Sequence, residues 1–290
     1  MDLLEQTVNL CKLYNIVPNK VLGQNFLIDE NVLNNIVYEA DKLKSKNILE
    51  IGGGFGFLTN KLLDVAERVV VIEKDEKLFN GLQKIEKISN NKLKVILGDV
   101  LNLFNRNFDM YSSLKSFFNS KEYSVVANIP YNITSILLRR LLEEKEYYPK
   151  NLILMVQEEV GNRICEVNNN RSILSVMANF YCKSNILFYV KRQSFYPVPD
   201  VDSVVIKLER IDDNLNRVGI NNLESFFKFV KAGFSNRRKM LYHNISSVYR
   251  LDIDYVKGIL EKNNLNIKIR AQDLTVNDWI LLWYNINYEK

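Results

Sequence analysis

A chain of 290 residues with 47% hydrophobic and 25% charged side chains is long enough for one large domain or two small ones, and its composition is neither disordered nor collagenous. Thirty-nine Lys and Arg against 34 Asp and Glu leave a formal charge of +5, a mild basic excess that permits a polyanionic partner without requiring one. The three cysteines, Cys11, Cys165 and Cys182, have no paired spacing, so neither a disulfide framework nor a zinc-ligand pattern is indicated, no metal is expected, and a reducing cytoplasm is the expected location.

The first twenty residues mix Asp2, Glu5, Lys12 and Lys20 into a short apolar periodicity that lacks the apolar run of a signal peptide. No later run approaches the ~20 apolar residues of a membrane helix. From Asn47 to Arg210, short β-branched runs alternate with helical stretches, which predicts a mostly parallel sheet covered on both faces. Seven strands are expected, at Asn47–Ile51, Arg68–Ile72, Lys94–Leu97, Tyr123–Ala127, Asn151–Val156, Ile186–Val190 and Ser203–Leu208. The asparagines at 168–170 read as a loop tip, and Pro197-Val198-Pro199 punctuates the approach to the last strand. Beyond Arg210 the strand signal stops. Short amphipathic helices follow at Leu223–Phe234, Asn236–Val248, Ile253–Glu261 and Val276–Tyr284. The expected architecture is therefore an α/β domain over 1–211 and a small all-helical domain over 212–290.

Chemistry enters at Glu50-Ile51-Gly52-Gly53-Gly54-Phe55-Gly56, after the first strand of the sheet and before a helix. Glycines at 52, 54 and 56 allow positive backbone dihedrals and close approach of a ligand. Phe57 stands where the dinucleotide fingerprint G-x-G-x-x-G needs its third glycine, which disfavours a nicotinamide cofactor. Glu73 closes the second strand, where α/β sheets present a carboxylate to ribose hydroxyls. Asp99 follows the third, able to accept a hydrogen bond from an adenine amine. Three marks at the ends of three successive strands describe a nucleoside cradle.

After the fourth strand comes Asn128-Ile129-Pro130-Tyr131. An exocyclic adenine amine is a poor nucleophile because its lone pair is delocalised into the ring. The side-chain carbonyl of Asn128, with the backbone carbonyl of Ile129 or Pro130, could accept the two amine hydrogens and favour a tetrahedral nitrogen facing a methyl donor. Pro130 restricts the backbone, and the ring of Tyr131 can stack on the base. No strong general base is demanded, and the single histidine, His243, falls in the helical tail.

Lys231, Arg237, Arg238 and Lys239 form the densest basic cluster, and Arg139-Arg140 a second one on the helix after the catalytic turn. Phosphate neutralisation at such groups gives salt-dependent, sequence-tolerant RNA binding. A solvated helical face is the alternative reading.

Gly23-Gln24-Asn25-Phe26-Leu27, the Glu50–Gly56 loop, Glu73, Gly98-Asp99, Asn128–Tyr131, the segment from Phe195 to Ser203 and Phe234–Leu241 occur in this order along residues 20 to 280. Together they resemble the ribosomal RNA adenine dimethyltransferases, most of all their bacterial small-subunit, kasugamycin-resistance branch. The resemblance implies a seven-stranded Rossmann-like methyltransferase sheet, with 1–46 as a helical segment that closes over the cofactor. It implies S-adenosyl-L-methionine as donor, with S-adenosylhomocysteine as product. The implied acceptors are two adjacent adenines in the 3′-terminal hairpin loop of small-subunit rRNA, each methylated twice in an assembling subunit. By the same resemblance Asn25 and Leu27 lie in the closing segment, and Gly52 and Gly54 belong to the loop at the methionine end. Glu73 takes the ribose, Asp99 the adenine, and Asn128 borders both donor and target. Phe195 is implied as a second aromatic wall opposite Tyr131. A monomer is expected. A large-subunit adenine methylase conferring macrolide resistance and a non-catalytic RNA-binding assembly factor of the same fold are the alternatives.

Overall fold

The computed structural model describes residues 1–19, 22–103, 109–120, 122–144, 146–167, 170–211 and 213–288. Asp212, at the expected domain boundary, and Asn168 and Asn169 of the expected loop tip lie outside the described residues.

The elements run α1 (Leu3–Leu13), β1 (Phe26–Leu27), α2 (Glu30–Asp41), β2 (Asn47–Ile51), α3 (Phe57–Val65), β3 (Arg68–Glu73), α4 (Glu76–Ile88), β4 (Leu93–Leu97), α5 (Asp109–Phe118), β5 (Ser124–Asn128) and α6 (Thr134–Glu143). They continue with β6 (Asn151–Gln157), α7 (Glu158–Ile164), α8 (Ile173–Tyr181), β7 (Cys182–Val190), β8 (Phe195–Tyr196) and β9 (Ser203–Arg210). Among the described residues the α-helices α9 (Asp213–Val218), α10 (Leu223–Gly233), α11 (Leu241–Tyr249), α12 (Ile253–Lys262) and α13 (Val276–Tyr288) follow.

The seven expected strands form one sheet in the order β4-β3-β2-β5-β6-β9-β7. β2 lies parallel to both β3 and β5, β3 to β4, and β5 to β6, whereas β6 and β9 run antiparallel. Ile48, Leu49, Val69, Val70, Val125, Val126, Leu152 and Leu154 have essentially no exposed surface, as near-continuous apolar strands require when helices cover both faces. From β2 the chain winds outward through β3 to β4, then returns to the other side of β2 as β5. That reversal leaves a crevice beyond the carboxyl ends of β2 and β5, where open α/β sheets bind ligands.

A second ladder joins β1 to β8, pairing Phe26 with Tyr196 and Leu27 with Phe195. At two residues per strand it leaves no period to read in the sequence. Directly opposed residues share a face, so Leu27 and Phe195 enter the main apolar core with Leu33, Ile36 and Val205. Phe26 and Tyr196 join Cys11, Ile16 and Leu78 on the other side.

The described chain divides into two compact units, residues 1–161 with 185–209 and residues 162–184 with 210–290. The helical unit thus includes 162–184, which the expected boundary at 211 placed with the sheet. Aromatic packing explains the difference. Phe180 on α8 stands 5.0 Å from the ring of Phe226 and 5.2 Å from Phe227 on α10, and the Asn214 side chain donates to the Phe180 carbonyl. Phe229 and Phe234 pack on Trp279 in the same unit. The helix expected over Asn236–Val248 begins only at Leu241. Asn236 accepts from the Arg238 amide, and Asn244 donates to the Gly233 and Asn236 carbonyls, so side-chain bonds hold 236–240 as a turn against its helical periodicity. Among the described residues no helix is long and apolar enough to cross a membrane.

Candidate active site

The crevice belongs wholly to the first unit and encloses about 1240 Å³ of open space including its mouth. Its floor is the turn after β2. Gly52, Gly54 and Gly56 have φ of 75°, 55° and 82°, left-handed values that glycine adopts without strain. A Cβ built on Gly52 meets nothing closer than the Asn128 carbonyl oxygen at 4.0 Å, so bare backbone faces the cavity there. Phe57 opens α3 behind the turn.

Glu73 ends β3 with 6% of its surface exposed. Its carboxylate accepts hydrogen bonds from the amides of Gly54 (3.0 Å), Lys74 (2.8 Å) and Asp75 (2.9 Å). Burial pushes this carboxyl above the usual range, against the amides, which favour its ionised form. Oε1 takes two of these bonds and Oε2 only one, so Oε2 retains acceptor capacity for a ribose hydroxyl. Asp99, after β4, accepts from the Leu101 amide at 2.9 Å and pairs with Lys74 Nζ at 2.9 Å. Burial would raise the Asp99 carboxyl, but Lys74 and the Leu101 amide outweigh it and hold the group below the ordinary carboxylate value.

Glu50 is a residue of this site that sequence reading left inside a loop motif. It is 1% exposed on β2, lines the cleft, and accepts a 2.6 Å hydrogen bond from Thr59 Oγ1 of α3. Burial pushes its carboxyl to about 8, the Thr59 bond opposing and Glu73 adding to the rise. A carboxylate within the otherwise aliphatic run Asn47–Ile51 is the signal that could have marked it.

On the opposite wall, Asn128 Nδ2 donates to the Asn25 carbonyl at 3.2 Å. With its nitrogen so committed, Oδ1 has no partner among the described residues. The two candidate backbone carbonyls also separate. Pro130 O accepts from the Ile133 amide at 3.1 Å and Thr134 Oγ1 at 3.3 Å, whereas the Ile129 carbonyl, in a residue 1% exposed that lines the cleft, has no partner among the described residues. Buried backbone carbonyls are nearly always paired, so an open one beside a cavity is a ready acceptor. Tyr131 is half-buried, and its hydroxyl shares a 2.7 Å hydrogen bond with Ser203 Oγ at the start of β9, which fixes the ring at the rim.

Asn25 and Leu27 line the same cleft, so the structure brings together Asn25, Leu27, Gly52, Gly54, Glu73, Asp99, Asn128, Pro130 and Tyr131. Phe195 is 1% exposed, packed in the main core beside Leu27, and absent from the cleft lining. The basic candidates also divide. Arg140 donates to the Leu101 carbonyl, and Arg139, 63% exposed, pairs with Glu143 at 3.0 Å on the same helix. Lys231, Arg237, Arg238 and Lys239 are exposed in the helical unit, Arg237 donating to the Arg171 carbonyl at 3.1 Å.

The family pattern described as Ribosomal RNA adenine dimethylase matches residues 17–282. A ribosomal RNA small subunit methyltransferase A from Clostridium botulinum (strain Okra / Type B1) is 36% identical over 276 residues, 94% of this chain and 95% of that protein. The solved structure of a dimethyladenosine transferase from Plasmodium falciparum is 26% identical, with a TM-score of 0.70 over 89% of this chain and 96% of the other. That of the 23S rRNA methyltransferase ErmE, 23% identical, shares the fold with a TM-score of 0.70 over 91% of this chain and 100% of the other.

Proposed function

The chain belongs to the ribosomal RNA adenine dimethylase family, and from that membership we propose that it methylates the exocyclic amines of two adjacent adenines in the 3′-terminal hairpin loop of small-subunit rRNA. The donor in this reading is S-adenosylmethionine, which when bound supplies an activated methyl group on a sulfonium sulfur. The residues present suit it: a bare glycine floor, a buried carboxylate at the end of β3 and a second carboxylate after β4. Glu73 would hold the ribose through Oε2 and Asp99 the adenine amine, with Lys74 yielding one Asp99 oxygen.

The observation that carries the reading is the pair of uncommitted acceptors at the end of β5. Asn128 Oδ1 and the Ile129 carbonyl accept the two hydrogens of the target amine and draw its lone pair out of conjugation. This polarisation is worth most where positive charge builds on nitrogen, in the transition state. Tyr131, anchored through Ser203, stacks on the unstacked base and holds it against those acceptors. The amine nitrogen becomes a strong acid only after it gains the methyl group, so its proton can pass to water without a positioned base. A small-subunit target is supported by the names of the curated relatives. A monomer working in the cytoplasm completes the proposal.

Mass spectrometry of nucleosides from small-subunit rRNA, prepared from cells with and without the chain, tests the reading. Dimethyladenosine that depends on the chain is the expected result. Its appearance only in large-subunit rRNA would replace the proposed target, and its absence from both would remove the activity.

A further inference from the structure

The segment Gly23–Leu27 roofs the cleft, and it is tied at two ends. On the β5 side it rests on the catalytic turn. The Asn25 carbonyl takes the Asn128 amide at 3.2 Å, and Gly23, at φ 67°, lies so close that an added Cβ would stand 2.9 Å from Pro130 Cβ. On the β3 side it is tied through Gln24. Gln24 Nε2 donates to Asp75 Oδ2 at 3.0 Å, and Gln24 Oε1 accepts from the Asn19 amide at 2.8 Å. Asp75 is itself fixed: its Oδ1 caps α4 by accepting from the Lys77 and Leu78 amides at 2.9 and 3.3 Å, and its own amide donates to Glu73 at 2.9 Å.

A side-chain amide presents a donor and an acceptor of similar shape, and only its surroundings decide which faces a ligand. Asn128 polarises an amine only while its nitrogen is held by the Asn25 carbonyl, so whatever holds Asn25 in place also aims Asn128. Leu27 is secured by its ladder to β8. The residue on the other flank of Asn25 has its side chain bound to the capped end of α4. We propose that Gln24 is a positioning residue for methyl transfer, which clasps the roof segment to Asp75 and thereby keeps the Asn128 carbonyl directed at the target amine. The inference rests on the methyltransferase reading and deepens it: the end of β3 that receives the cofactor ribose is linked, through Asp75, Gln24 and Asn25, to the group that activates the acceptor.

The test uses the full chain with Gln24→Ala and, as a second disruption of the Asp75 bond, Gln24→Glu, which sets two carboxylates against each other. Steady-state methyl transfer is measured alongside exchange of the Asn128 side-chain amide protons by nitrogen-15 NMR, that signal being assigned by its loss in Asn128→Ala. The expected result for both variants is a kcat about tenfold lower with the KM for the donor within about threefold, and Asn128 amide exchange faster by about tenfold. An unchanged Asn128 signal, a loss confined to KM, or a kcat within twofold of the native chain would overturn the clasp. A native chain that transfers no methyl group would defeat the underlying reading, while the amide signal would still report whether Gln24 holds Asn128.

Discussion

Glu50 brings a carboxyl into a strand whose neighbours are Leu49 and Ile51, and one Thr59 hydroxyl is too little to keep it ionised at neutral pH. The sign of the consequence follows from proton binding. The unfolded chain releases this proton near 4.5, the fold holds it to about 8, so the stability it contributes is complete below pH 4.5 and is lost as pH rises through 8. Glu50→Gln, which can still accept from Thr59, is expected to flatten the melting temperature between pH 5 and 8 and to melt a few degrees above the native chain at pH 8, by calorimetry. Parallel curves would mean that the group is ionised in the fold. Phe195 allows a second test, because core packing and base stacking make different demands. Phe195→Ala should lose about 3–5 kcal/mol in denaturant unfolding. Phe195→Leu should keep methyl transfer within about threefold. A hundredfold loss in the leucine variant with unchanged stability would return the ring to the target base.

Helix α2 shows how one cap can serve two elements. Asp29 Oδ1 accepts from the Asn31 and Val32 amides at 3.0 and 3.2 Å, while Oδ2 accepts from Ser194 Oγ at 2.8 Å. The Ile28 amide donates to the Ser194 carbonyl at 2.8 Å, so the start of the helix and the approach to β8 are held as one. Asp29→Ala is therefore expected to destabilise by about 1–2 kcal/mol, the upper part of the range for a lost cap, read as a lower urea midpoint at constant slope. A loss below about 0.5 kcal/mol would show that the Ser194 bond contributes nothing. Element boundaries were legible where packing repeats along the chain: β2, β5, β6 and β9 begin within a residue of expectation, and α10 and α12 at the expected residue. They were not legible where a side chain overrides periodicity, as Asn236 and Asn244 do in delaying α11.

At the scale of the molecule, a net charge of +5 says little until the cations are sorted by what already holds them. Arg139 and Arg140 are engaged within the first unit, by Glu143 and the Leu101 carbonyl. Arg238 and Lys239 project from an exposed turn of the second. Substituting Arg238 or Lys239 by Ala should weaken binding of an rRNA hairpin and reduce the slope of log K against log salt by about 0.7–0.9 for each phosphate contact removed. Arg140→Ala should leave that slope unchanged and act on stability instead. Fluorescence anisotropy across a salt series distinguishes the two, and a slope altered only by Arg140→Ala would reverse the assignment.

The amino-acid sequence determined the seven strands, the glycine turn, and the positions of Glu73, Asp99 and Asn128 at successive strand ends, because these depend on periodicity and on spacing between near neighbours. Tertiary structure alone decided that Ile129 rather than Pro130 offers the open carbonyl, that Phe195 turns inward, and that Glu50 is buried. It also decided that Asn128 meets Asn25 across 103 residues and Gln24 meets Asp75 across 51. Hydrogen-bond partners so far apart in the chain are selected by how layers pack and by the need to satisfy buried polar groups, and no local pattern encodes that choice.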